Sequence, residues 1–307
     1  MKKILFALVP SLLFFSCTDQ DDNLVPVTGP TSDDFYTLFD GALETQTQSF
    51  QMNAEDGYTT FTSAQGVKLA IDGNCLQLNG QPVTGAVDIE FVEIFDRGTM
   101  LTTNKTTMGL HNGEKHLLIS GGEFYVNATQ NGQQLTLTCS YELYVPTAIT
   151  GGTDNDMLPF NGTLDAMGNI TWEQWTGGEW WIGSVNGNAD SYNAIMTNFG
   201  WFNCDKFLNT TGPHTTISAF VPEGYGNGNS LVFIATSSQP NSLGAISGHY
   251  PVGLQCHLIF VSENNGSYIY SILPDQTLIE NHQVTFHANE MQTATAEQLV
   301  GIINALP

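Results

Sequence analysis

The sequence predicts an all-β chain: two antiparallel β-sandwich-like domains with a short C-terminal helix, preceded by a signal peptide and an acidic linker. Three observations carry that prediction. Apolar and polar residues alternate in short runs, with Val87, Ile89 and Phe91 on one face and Asp88 and Glu90 on the other. Asn79-Gly80 and Asn131-Gly132 stand between apolar stretches, as hairpin turns do. Helical spacing over three turns is missing from the first half of the sheet-like sequence.

The chain has 307 residues, enough for about two domains. Residues 1–16 read as a signal peptide. Lys2-Lys3 form a positive start, and the apolar run Ile4 to Phe15 spans twelve residues, whereas a helix needs about 20 to cross a bilayer. The run ends Phe14-Phe15-Ser16-Cys17, which resembles a bacterial lipoprotein cleavage site with Cys17 as the lipidated residue. Several acyl chains on one residue anchor stably where one binds only marginally. Residues 17–57 are expected to be the lipidated Cys and an acidic tether. Thr18 to Asp56 holds nine acidic residues and no basic one, without sustained periodicity.

Domain 1 is placed at 58–149. Its strands are expected at 66–71, 85–94, 117–119, 123–128, 135–138 and 143–145. Residues 150–169 read as a linker, with Gly151-Gly152, Asp154-Asn155-Asp156 and Pro159. Domain 2 covers 170–307, with strands from Ile170-Thr171-Trp172 onward and then at 215–221, 230–235, 253–261, 268–273 and 283–287. Thr295 with Gln298 forms a capping box, and Leu299, Ile302, Ile303 and Leu306 share a face, so a terminal helix packs on domain 2.

Charge excludes one class of partner. With Lys2 and Lys3 removed, five basic residues face thirty acidic ones, a net charge of −25. Such a chain cannot displace the counterions of a phosphate backbone, so no nucleic-acid partner is expected.

Four cysteines remain after Cys17. Three pairings are possible; two cysteines in each domain favour Cys75–Cys139 and Cys204–Cys256 in an oxidising compartment, and four separate buried thiols are the competing expectation. Zinc-finger spacing and HExxH are both missing, and Asp154-Asn155-Asp156 lacks the glycine and closing glutamate of a calcium loop. No metal set and no cofactor are therefore expected. The five tryptophans fall within thirty residues. Trp172, Trp175, Glu179, Trp180 and Trp181, with Glu173, read as a hairpin about Gly177-Gly178. An aromatic platform flanked by carboxylates would stack on sugar rings; the competing expectation is that these indoles are buried and seal the contact between domains. A carboxylate-pair hydrolase has no sequence signature, and no catalytic residue is assigned.

Some of these segments resemble a family of Bacteroidota surface lipoproteins. Asn79 to Gly85 followed by Glu93-Ile94-Phe95-Asp96-Arg97-Gly98-Thr99-Met100-Leu101 is one such segment, and Ile119 to Gly132 another. Gly200-Trp201-Phe202-Asn203-Cys204-Asp205-Lys206-Phe207 is similar to that family's Gly-Trp-aliphatic-Asn-Cys-Asp-basic-Phe signature. The first half also resembles a ZU5-type β-sandwich. The resemblance implies an outer-membrane, surface-facing location, membrane contact through an N-terminal lipid, and no catalytic residues. The functional expectation is a lipid-anchored, non-enzymatic protein with a binding or structural role toward a protein or glycan partner. Glycan capture by Trp172–Trp181 is the first alternative and a carboxylate hydrolase the second.

Overall fold

The computed structural model describes residues 29–177, 179–184, 190–209 and 211–307. The expected signal peptide, Cys17 and the start of the tether lie outside these residues, as does Gly178. The described chain is all-β, as predicted, with several sheets and a short C-terminal helix.

The central element is an eight-stranded sheet. Its order is Gln48–Asn53, Ala86–Ile94, Glu114–Gln130, Gly200–Phe207, Leu158–Leu164, Ile170–Gln174 and Met108–His111, with Gln133–Gln134 pairing beside the third. Met108–His111 also pairs back onto the start of Glu114–Gln130, so five of these strands close into a ring. A second sheet of five strands faces it: Glu179–Ser184, Asp190–Met196, Tyr141–Pro146, Lys68–Asp72 and Tyr58–Thr62. Between them lies an apolar core. Val87, Phe91, Phe124 and Phe202 point in from one sheet, and Leu69, Ile71, Leu143 and Val145 from the other. Tyr141–Pro146, which contains the strand expected at 143–145, is buried with period two.

The second half is a five-stranded sheet ordered Gly244–Ala245, Ser230–Thr236, Gln255–Asn264, Ser267–Thr277 and Gln292–Ala294. Both of its faces are covered. Val232, Ile234, Leu258 and Phe260 meet Ile217 and Val284 from a parallel pair of short strands. Phe233, Ala235, Ile259 and Val261 meet the outer face of the eight-stranded sheet through Leu118, Phe160 and Trp172. The two halves thus share a core, here called the seam.

Three helices fill the seam: α1 (Ser32–Gln46), α2 (Arg97–Thr102) and α3 (Ala296–Asn304). The third is the predicted terminal helix, with its Thr295/Gln298 capping box and with Leu299 and Ile303 buried. It lies against α2 as well as Ser267–Thr277 and Gln292–Ala294 of the sheet in the second half. Gly98 makes that approach possible, because a Cβ there would stand 2.5 Å from the Val300 carbonyl oxygen. Arg97 fixes the joint from within. Its guanidinium donates to the carbonyls of Ile303 at 3.0 Å and Thr236 at 3.1 Å, and to that of Leu306.

Three boundaries differ from the sequence expectation. The tether does not run to residue 57: α1 begins at Ser32, capped by Thr31 accepting from the Asp34 amide at 3.1 Å. Phe35, Phe39 and Ala42 form its buried stripe at helical spacing, and the acidic residues around them masked that stripe in the sequence. The 150–169 linker contains Leu158–Leu164, a strand inside the large sheet. Strands from 158 to 207 consequently belong to the first sandwich, because their apolar faces complete its sheets. The expected hairpin about Gly177-Gly178 does not form either. Ile170–Gln174 and Glu179–Ser184 lie in different sheets, and the chain crosses between them.

Candidate functional site

The tryptophan run does not make an exposed platform. Strand alternation sends Trp172 into the seam, fully buried, where its indole N–H donates to the Thr106 carbonyl at 2.9 Å. Trp201 joins it there at a ring separation of 6.4 Å. Trp175 and Trp180 turn toward the first core instead. Trp175 meets Phe202 edge-on, and Trp180 stacks on Tyr192 with ring centroids 5.6 Å apart. Only Trp181 among the five is exposed, at 41 %. Glu173 and Glu179 are exposed, but the indoles beside them face inward. The residues singled out for sugar stacking are thus mostly packing residues, as a large apolar ring with one N–H to satisfy commonly is.

Cys75 and Cys139 form a disulfide, whereas Cys204 and Cys256 are free and buried. The second expected bridge fails because the two thiols sit in different cores. Cys204 packs in the first sandwich, and Cys256 on the face of the second half's sheet that meets Ile217 and Val284. Burial pushes the Cys256 thiol up to about 12 and the Cys204 thiol well above its usual range, so neither is a nucleophile. Asp154 is held by Lys206 at 2.6 Å, which lowers its pKa.

Two grooves border the seam. One, of about 640 Å3, runs between α1 and the large sheet and is lined by Asp40, Glu44, Glu90, Tyr125, Leu164 and Trp201. The other, of about 660 Å3, includes Tyr36, Lys115, Asp165, Ile217, Val232 and Phe233. Both fall within the volume range of small-molecule sites.

The seam also buries polar groups that sequence reading passed over. Glu123, Asn203 and Asp205 are all fully buried. Glu123 and Asn203 are cross-strand partners, and the Asn203 amide donates to Asp205 at 2.7 Å. Neither oxygen of Glu123 has a hydrogen-bond partner. Burial, reinforced by the mutual repulsion of the two carboxyls, holds Glu123 well above the usual carboxylate range; burial does the same to Asp205. Lys105, 4 % exposed, lies near enough to Glu123 to oppose that effect, and its ammonium stands 5.5 Å from the Trp201 ring centroid. The carboxyl pair is sealed from solvent, so it cannot serve as a glycosidase pair, which needs substrate and water between its members.

Four of the seven histidines gather at one end of the seam. His116 has His214, His111 and His249 around it at ring separations of 5.1, 5.7 and 6.0 Å. Glu114 faces two of them, at 3.8 Å from His116 Nε2 and 3.9 Å from His249 Nε2. The sequence did carry a signal: His111-Asn112-Gly113-Glu114-Lys115-His116 is a hairpin turn flanked by donors. His214 and His249 come from distant segments, and only the fold brings them in. No family model matches the chain, and no curated protein matches it.

Proposed function

We propose that the protein is exported, lipid-anchored through Cys17 at the outer membrane, and outward-facing, with a non-enzymatic binding or structural role. The Cys75–Cys139 bridge is the observation that carries this reading, because disulfides persist in oxidising compartments outside the cytoplasm. The positive start, the short apolar run and Ser16-Cys17 support it independently. So does the length of acidic chain between Cys17 and α1, which spaces the body from an anionic surface. Among the described residues no helix is long and apolar enough to cross a membrane, and the proposed attachment does not use one.

Binding would use the grooves that border the seam rather than the tryptophan run, since only Trp181 of that run is exposed. The test is fractionation of cells expressing the full chain. Cys17→Ala is expected to move the protein from the membrane pellet to the soluble fraction, and mass spectrometry of the parent protein to find an acylated Cys17 as its first residue. Unchanged partitioning, or an unmodified first residue, overturns the anchor.

A further inference from the structure

The histidine cluster is built by two halves of the fold. The strands Met108–His111 and Glu114–Gln130 are joined at Asn112-Gly113, both with positive φ (53° and 85°), as a two-residue turn of the primed type requires. The register pairs His111 with Glu114 and Gly109 with His116. Alternate strand residues share a face, so His111, Glu114 and His116 stand together, and Gly109 adds no side chain beside them. The second half supplies His249, whose backbone bridges His116 and whose amide donates to the Lys115 carbonyl at 2.7 Å.

The spacing within this group is unusual. Glu114 approaches His116 Nε2 and His249 Nε2 at 3.8 and 3.9 Å, beyond hydrogen-bond reach. Two donors bound tetrahedrally to one zinc ion at about 2.0–2.1 Å are separated by about 3.3 Å, so the carboxylate stands about half an ångström too far from both imidazoles. His116 is 5 % exposed, and the Nδ1 atoms of His116 and His249 are buried with no partner. On an imidazole ring the Nδ1 and Nε2 lone pairs diverge widely, so these two Nδ1 atoms face away from the carboxylate and the Nε2 atoms are the donors that face it. His214 is different: its two ring nitrogens lie 3.0 and 3.1 Å from the Gly212 and Asn209 carbonyls, so it is committed to its own loop and walls the cluster.

We infer that Glu114, His116 and His249 form a binding site for a divalent transition ion, with zinc the preferred species and His111 beside the open fourth position. Two imidazoles and one carboxylate suit zinc, nickel or copper, and do not suit calcium or magnesium. Among the described residues no three such side chains already stand at ligand spacing. The Glu114 side chain, 58 % exposed, is free to rotate inward and close the set. Because the ligands come from both halves, the bound ion would clamp them across the seam.

The experiment is calorimetric titration of zinc chloride into the chelator-stripped full chain in detergent, beside Glu114→Gln and His249→Gln. Both altered side chains reach the surface, so these variants keep the fold where a change at buried His116 need not. One saturable site per chain is expected, weakened about tenfold or more in each variant, since even groups that merely support ligands cost that much. Zinc should also raise the melting temperature of the parent protein more than that of either variant. Calcium chloride should leave the zinc titration unchanged. Absence of a one-to-one site overturns the inference. So does binding equal in parent and variants, which would assign the ion to the acidic surface elsewhere.

Discussion

The eight-stranded sheet presents two faces built on opposite terms, and one strand shows both. In Gly200–Phe207, Phe202 and Cys204 enter the apolar interior of the first sandwich. Trp201, Asn203 and Asp205 turn the other way, into the seam, and Glu123 joins them from the neighbouring strand. The first face is filled by hydrocarbon and rings apart from Glu93, which accepts from Gln48, Ser63 and the Gln65 amide. The second mixes rings with two buried carboxyls, a buried ammonium and a guanidinium bound to three carbonyls. Apolar packing is non-directional and tolerates sliding, whereas hydrogen-bonded groups fix one docking geometry at a cost in desolvation. Cohesion comes from one face of the sheet, and the relative placement of the two halves from the other.

Arg97→Ala breaks this contrast most severely. It removes a charged donor from three carbonyls at once, of which only that of Ile303 also accepts from the nearby Leu306 amide in the turn after α3, and a cost of about 4 to 5 kcal/mol is expected in urea unfolding. A loss below about 1 kcal/mol would make the seam an ordinary apolar contact. On the other face, replacing Cys75 and Cys139 together by serine opens a bridge spanning 64 residues and should cost about 3 to 4 kcal/mol. If the two sides of the sheet unfold as one, both changes move a single transition. A second transition appearing only with Arg97→Ala would show that the halves can part.

Taken per pH unit, the smallest step is the response to pH. Burial raises the pKa of both Glu123 and Asp205 in the folded protein, whereas the unfolded chain releases their protons near the usual carboxylate values, about 4. The folded state binds more protons above that point, so stability is greatest below it. Stability is then lost as pH rises toward the folded values, by about 1.4 kcal/mol per pH unit for each proton retained. Unfolding free energies measured from pH 4 to 8 should fall, and Glu123→Gln with Asp205→Asn should flatten that fall. Asp154, lowered by Lys206, works in the opposite direction, but both groups are about a third exposed and the effect is correspondingly small. A parent slope unchanged by the double variant would mean that the carboxyls are hydrated.

Much of this was legible before folding was considered. Period-two alternation located the strand around Val87, and Thr295 with Gln298 located α3. What misled was local composition. Acidic residues flanking Phe35, Phe39 and Ala42 made a helix read as a tether. Clustered indoles left a surface platform and a buried seal both open, because nothing local says that Ile170–Gln174 and Glu179–Ser184 belong to different sheets. The seam was hardest to see. Arg97 and Asp205 stood inside segments already singled out, yet a lone charge in a sequence reads as exposed. Only the packing of distant strands shows that they are enclosed. The donors around His116 carry the same lesson, since two came from one hairpin and the others from residues about a hundred positions away.

Where α1 is seated has a mechanical consequence. Phe39 packs against Tyr268 with ring centroids 6.1 Å apart, and the Tyr268 hydroxyl lies 3.2 Å from the Leu38 carbonyl and 2.7 Å from that of Thr102. Tension applied at the N-terminal end of the described chain therefore arrives at the joint itself. The edge strand Gln48–Asn53 follows α1 in the chain and is reached only after the helix. Drag on the body would load both halves together, and the helix would have to be torn sideways from its socket before either sheet felt the strain.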